Sequence, residues 1–309
     1  MGMASGHPES AQGHTPGGNA AREPGKTATL YPGAVHGASH QNMNSILFHV
    51  ILLAYLFATL GFWCYLGMRH RWFFLVAQGL VGLGLGLQTL LLGQRLVTQS
   101  WHVWGDVSVS LTLLAWALGV GYVLTWWRYR IEALGSFMIP LVFLAVAVSS
   151  VPVAAVMPLP SAFQNVLLIV HIVLAVLGYA ALALTFCAGV MYLIQERQLK
   201  SKHPGVLYQR LPSLWVLDEL NARALVLGLP LLTQGVITGS VWAKAVRGSY
   251  LNWSVTSLPI LLAWALYVLL LGGRYRLGWQ GKKAAFAAVT GFLLVLASYV
   301  VHTSSSPGS

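Results

Sequence analysis

The sequence predicts an all-α, polytopic membrane protein: a bundle of about eight transmembrane helices with both termini outside. Three observations predict it. Of 309 residues, 57% are hydrophobic and only 8% charged, whereas a soluble domain of this size carries about a quarter charged residues. Eight apolar stretches reach or approach the roughly 20 residues that a helix rising about 1.5 Å per residue needs to cross a hydrocarbon layer. Basic residues gather in alternate loops.

The elements follow in order. Residues 1–43 are rich in Gly, Ala, Ser, Pro and His with no apolar period, so they cannot bury enough surface to fold alone and are expected to form a disordered extracytoplasmic tail. The tail lacks the apolar core of a signal peptide, which leaves the first helix to act as an uncleaved insertion signal. The spans are expected at 44–68, 72–94, 106–127, 133–157, 163–195, 221–243, 256–273 and 284–303, together a membrane domain over 44–303, with a short tail at 304–309. Between the fifth and sixth spans, "ERQLKSKHPGVLYQRLPSLWVLDEL" carries Leu211, Leu214, Leu217 and Leu220 at every third position with Trp215 among them. This pattern predicts a short amphipathic helix lying along the membrane surface and covering the end of the bundle.

Orientation comes from the loops. Odd-numbered loops hold thirteen Lys and Arg, while the even loops and the N-terminal tail together hold five. Positive charge marks the cytoplasmic side, so both termini face outward. The formal net charge of +11 is thereby explained by topology and not by a nucleic-acid partner, because the basic residues form no continuous patch. Cys64 and Cys187 lie in apolar stretches without CxxC spacing and are expected to pack as small hydrophobes. No phosphate-binding loop, HExxH or GxSxG motif occurs, and the expected spans are free of acid except for Asp106 at a boundary, which argues against a cation-coupled transporter.

Polar side chains within a bilayer are costly and mark candidate sites. His171 lies about eight residues, or roughly 12 Å, into the fifth span from the outer side. Neutral imidazole suits an axial position on haem iron; the alternative is a hydrogen-bonded packing histidine. Ala175 and Gly178 share its helix face, and such a small-residue patch admits either a close helix or a flat ring. His49, about five residues into the first span, is a second intramembrane candidate, or else a residue reaching the headgroups. Gln88, on a glycine-rich helix, can hydrogen-bond a ligand or bridge helices. His102 and His302 are candidate iron ligands on the outer side, and Trp242, Tyr250 and Trp253 are either an interfacial belt or a platform for a porphyrin.

Several stretches resemble the cytochrome c assembly family, the membrane haem-handling proteins typified by CcsA, ResC and CcmC, and especially its HemX-like branch. They are "VHIVLAVLGYAALALTFCAGVMYLIQERQLKSK", "LPLLTQGVITGSVWAKAVRGSYLNW", "VSLTLLAWALGVGYVLTWWRYR" and "LLAWALYVLLLGGRYRLGWQGKKAAFAAVTGF", and the likeness covers about residues 72–303. Trp242, Ala243, Gly248, Tyr250 and Trp253 match the family's tryptophan-rich outer loop, of the form WAxxxWGxYWxWDPKExW. Arg247 and Leu251 replace tryptophans, Ser254 replaces the aspartate, and the PKE that should follow is absent. His171 aligns with the family's membrane histidine, while Gln88 stands where HemX-like relatives carry one.

The resemblance implies a haem-binding or haem-handling accessory protein in cytochrome c biogenesis or haem metabolism. It implies a non-covalent b-type haem and a place in a bacterial-type inner membrane. Expected partners are haem, the bilayer and membrane proteins of cytochrome c maturation or a respiratory complex, with no nucleic acid. The degenerate loop implies that this is not a complete synthase. The alternative is a cofactor-free membrane scaffold or interaction subunit supporting such a complex.

Overall fold

Among the described residues Pro32 opens the first of eight α-helices, a position where the missing N–H costs nothing and the fixed φ suits a helix start. The computed structural model describes residues 32–68, 70–99, 107–150, 162–201, 205, 208–248 and 258–304. The helices are α1 (Pro32–Met68), α2 (Arg71–Gln99), α3 (Val107–Tyr129), α4 (Gly135–Ser149, entered by a 3-10 turn at Glu132–Leu134), α5 (Ala162–Lys200), α6 (Leu214–Arg247), α7 (Leu258–Leu277) and α8 (Lys282–Ser304). The chain divides into two units, residues 1–42 and 43–309, and the site described below belongs to the second. Among the described residues seven helices, α1 to α7, are long and apolar enough to cross a membrane, counting the 3-10 turn with α4; α8 has 23 residues. Among the described residues there is no strand, and the all-helical, eight-element fold agrees with the sequence.

Three boundaries differ most from expectation. α1 begins at Pro32, not at 44. α4 ends at Ser149, with Ser150 as its C-cap, and the expected end of its span falls in 151–157, outside the described residues. The amphipathic stretch at 211–220 is no separate surface helix. Ser213 caps α6 by accepting from the Val216 N–H, and the helix then runs unbroken through the leucines. Leu217 and Leu220 are buried while Trp215 is 74% exposed, so the leucine period is the inner face of the first turns of α6. This extension also brings Asp218 and Glu219 into the helix. At the other end Gly248, at φ 78°, donates its N–H to the Lys244 carbonyl and closes α6 in the left-handed conformation that favours glycine.

Lipid tails offer no hydrophobic drive between helices, so association rests on close packing and hydrogen bonds. In the first half of the bundle, Phe62 of α1 meets Phe74 and Tyr122 edge-on, at centroid distances of 5.9 and 5.8 Å. The same ring lies where a Cβ on Gly135 would sit, 2.6 Å away, so glycine at the start of α4 makes room for it. In the second half, Phe186 of α5 stacks on Phe292 of α8 at 4.8 Å, and the Tyr267 hydroxyl donates to the Ala288 carbonyl across α7 and α8. Leucines such as Leu90, Leu227 and Leu269 remain exposed, as lipid-facing residues should.

At the basic face an ion pair ties the later helices together. Arg274 of α7 donates to Asp218 of α6 at 2.8 Å and to Asn221 at 2.9 Å, and Asp218 also accepts the Gly281 N–H from the turn between α7 and α8. Cys187 is buried with its thiol 3.7 Å from the Met138 sulfur, a packing contact as the sequence leads one to expect; Cys64 is partly buried.

Candidate functional site

The second half of the bundle is organised around the seam between α5 and α6, where small residues on both helices let the backbones approach. A Cβ on Gly178 would stand 2.9 Å from the Leu232 nitrogen; one on Gly228 would stand 3.0 Å from the Ala181 Cβ; and one on Gly235 would stand 3.3 Å from the Ala175 Cα. These are antiparallel pairs, one step after another, along "GLPLLTQGVITG" of α6. The Ala175–Gly178 patch is therefore occupied by a close helix, and a flat ring does not lie against that part of α5.

The next step of the seam is His171. A Cβ on Gly239 would be 2.6 Å from the imidazole Cε1 and 2.7 Å from Nδ1, so glycine alone leaves space for the ring against the α6 backbone. There Nδ1 lies 2.7 Å from the Gly235 carbonyl oxygen. A carbonyl only accepts, so Nδ1 carries a proton and donates it, and in the neutral ring Nε2 keeps its lone pair. Among the described residues Nε2 has no hydrogen-bond partner. Thr238 shares the same acceptor, its hydroxyl lying 3.1 Å from the Gly235 oxygen and 2.7 Å from that of Gln234. One turn of backbone thus fixes the ring's orientation and tautomer together.

His49 adopts the same tautomer by a local route: its Nδ1 lies 2.6 Å from the Ser45 carbonyl one turn earlier, on an exposed face of α1. Along its length α1 touches α2, α3 and α4, through Tyr55–Gln88, Phe62–Tyr122 and Trp63–Ser136, and its last turn meets Arg210 of the loop before α6. The contacts of His171 run to α6. The structure thus gives the two histidines a common chemical form on separate elements.

Gln88 has no exposed surface. Its Oε1 accepts from the Tyr55 hydroxyl and its Nε2 donates to the Thr112 carbonyl, both at 2.8 Å. Of the two roles open to it in the sequence, bridging helices is the one the structure displays: it joins α1, α2 and α3. Trp242 is half-buried on α6, one turn beyond Gly239. Tyr250, Trp253 and His102 lie outside the described residues, as does the side chain of His302, which stands in the last turn of α8. Among the described residues no group of three or more His, Cys, Asp or Glu could hold a metal ion by itself, so the donors at hand are single imidazoles.

Sequence reasoning overlooked the α6 side of the site. Gly235 and Gly239 stand four apart in "QGVITGS", the small-xxx-small spacing of close membrane helices. That spacing was the available signal.

Comparison with known proteins identifies the family. The family described as cytochrome C assembly protein matches residues 104–308, a stretch that includes the whole α5–α6 seam. The chain is 31% identical over 201 residues to the cytochrome c biogenesis protein CcsA of Chlamydomonas reinhardtii, covering 62% of this chain and 55% of that protein. It is 28% identical over 282 residues to CcsA of Parasynechococcus marenigrum and 24% identical over 272 residues to CcsA of Guillardia theta, in both cases covering 82% of this chain and 90% of the relative. An eight-helix membrane architecture and a family match spanning two thirds of the sequence lead to one assignment: this chain belongs to the cytochrome c assembly protein family.

Proposed function

We propose that this protein handles haem in cytochrome c biogenesis as a non-covalent b-type group that the Nε2 of His171 would hold. The observation that carries the proposal is the 2.7 Å contact from Nδ1 to the Gly235 carbonyl. Metal-bound histidines commonly donate their other ring N–H to a backbone carbonyl, which fixes the ring and raises the basicity of the ligating nitrogen. The residues fit such a group in this respect: the imidazole is neutral, oriented and in the right tautomer. Haem, when bound, would supply an iron that takes imidazole nitrogen as a ligand. His171 would be one donor, and Nε2 of His49 is our choice for a second, with His102 and His302 as further candidates on the outer side. Trp242, Tyr250 and Trp253 supply aromatic surface for a flat apolar ligand.

Family membership and the resemblance to CcsA proteins support the biogenesis role. The departures at Arg247, Leu251 and Ser254 from the tryptophan-rich pattern support an accessory part beside a separate synthase, in a bacterial-type cytoplasmic membrane with the basic loops inside. Partners of this role are membrane proteins of cytochrome c maturation or a respiratory complex.

One observation favours a second reading. The seam fills the small-residue face of α5 completely at Gly178 and Ala175, as it would in a cofactor-free scaffold where His171 only ties α5 to α6. Reduced-minus-oxidised spectra of detergent-purified protein from haem-replete cells separate the two. Soret and alpha bands that vanish in His171→Ala and return with added imidazole support haem binding at this site. A folded wild-type protein without either band assigns the scaffold role.

A further inference from the structure

At the basic face, Tyr65, Glu132, Ala133, Gln209 and Arg210 line a pocket of about 240 Å³. Three segments meet there: the end of α1, the 3-10 turn before α4, and the loop leading into α6. Arg210 is fixed by donating Nη1 to the Tyr65 carbonyl in the last turn of α1 and by lying over the Tyr65 ring, 5.6 Å from its centroid. Glu132 is engaged through one oxygen, which accepts from the Tyr65 hydroxyl.

The pocket holds a guanidinium and a carboxylate that do not pair. The ion pairs among the described residues are Lys200–Glu196, Arg223–Glu219 and Arg274–Asp218, and Glu132 and Arg210 are in none of them. Each has hydrogen-bonding capacity left over. Nη2 of Arg210 is buried without an acceptor, and the second oxygen of Glu132 accepts nothing from a described residue. A buried guanidinium nitrogen left unpaired is costly, and an anionic oxygen would remove that cost. A carboxylate on the same wall calls for a cation at the other end of the same molecule.

Size and depth narrow the occupant. A volume of about 240 Å³ falls below the roughly 300–1,000 Å³ of sites for drug-sized ligands, so a small polar group fits and a porphyrin does not. Trp63 and Trp72, at 52% and 72% exposure, flank this end of α1 and the start of α2, and exposed tryptophans of this kind sit at headgroup level. We propose that the pocket seats an amine-bearing phosphate headgroup of a membrane lipid, with its phosphate on Arg210 and its ammonium on Glu132. The inference is independent of haem binding at His171, which lies toward the opposite face.

Native mass spectrometry of the full chain in detergent tests it, by titrating phosphatidylethanolamine and phosphatidylglycerol separately. The wild type is expected to bind phosphatidylethanolamine at least about tenfold more tightly, the scale of one charge-assisted hydrogen bond. Glu132→Gln should remove that preference while leaving phosphatidylglycerol binding in place. Arg210→Gln should weaken both lipids. Because Arg210 also caps α1, Glu132→Gln is the decisive variant: it leaves the Arg210 contacts untouched. Equal affinity for the two lipids in the wild type, or an unchanged preference in Glu132→Gln, overturns the proposal. So does an equal loss in Arg276→Gln, a charge on the same face outside the pocket, since it would show mere surface attraction.

Discussion

The imidazole of His171 rests on Gly239, with 2.6 Å between its Cε1 and the place where a Cβ would begin. The relationship is unforgiving because the obstructing atom would belong to backbone-anchored α6 and would press on the same Nδ1 edge of the ring that Gly235 holds. Gly239→Ala should therefore push the ring off its acceptor. The expected results are a loss of bound haem comparable to that in His171→Ala and an overpacking cost of about 1–3 kcal/mol. Gly121→Ala, where a Cβ meets nothing within 4 Å, serves as the control. Nitrogen NMR of the histidine ring in the haem-free protein adds a readout independent of the cofactor: the Nδ1-protonated signature should be present in the wild type and lost in Gly239→Ala.

Much of this site could be read from the sequence, but only one half of each contact. A histidine with Ala175 and Gly178 on its face announces a close neighbour, and the apolar runs place it within the membrane. What lies opposite depends on antiparallel register, which pairs Gly239 with His171 and Gly235 with Ala175; a one-turn slip would pair different residues. Gln88 shows the same limit, because its partners Tyr55 and Thr112 lie 33 and 24 residues away. The leucine period at 211–220 was legible as an amphipathic face. Whether that face lies on lipid or on protein depended on continuity with α6, which the Ser213 cap and Pro230 farther along do not interrupt.

His49 gives a prediction of a different form. Its Nδ1 is occupied by the Ser45 carbonyl, so only Nε2 is free to ligate. If it completes the coordination of an iron held by His171, His49→Ala should retain haem yet convert a six-coordinate, low-spin spectrum to a five-coordinate, high-spin one. Electron paramagnetic resonance of the oxidised protein reports the change directly. An unaltered low-spin signal removes His49 from the site and directs the search to His102 and His302.

Gln88 should matter for stability and not for haem. Gln88→Leu removes two buried bonds and leaves the Tyr55 hydroxyl and the Thr112 carbonyl short of a partner. Hydrogen bonds between membrane helices average about 0.6 kcal/mol and reach about 1.7, so the expected loss is about 1–3 kcal/mol. Tyr55→Phe should cost less, and the two changes together should fall short of their sum because they break a shared bond. Denaturant titration in mixed micelles measures all three variants. A fall in haem content of the folded Gln88→Leu protein would instead give Gln88 a part in the ligand site.

Asp218 is the hinge pin of the basic face, accepting from Arg274 of α7 and from the Gly281 N–H at once. The Arg274 and Asp218 side chains are 10% and 21% exposed, so solvent screens them only in part. Losing one partner of a fully buried pair costs about 3–5 kcal/mol because a bare charge remains, and this pair should fall below that, at about 2–3 kcal/mol for Asp218→Asn. Arg274→Met in the same background should recover part of the loss, since it removes the stranded cation. Thermal unfolding of the single and double variants decides the matter. A double variant less stable than Asp218→Asn alone would mean that Arg274 stabilises chiefly through Asn221, which accepts from the same guanidinium nitrogen, with the carboxylate secondary.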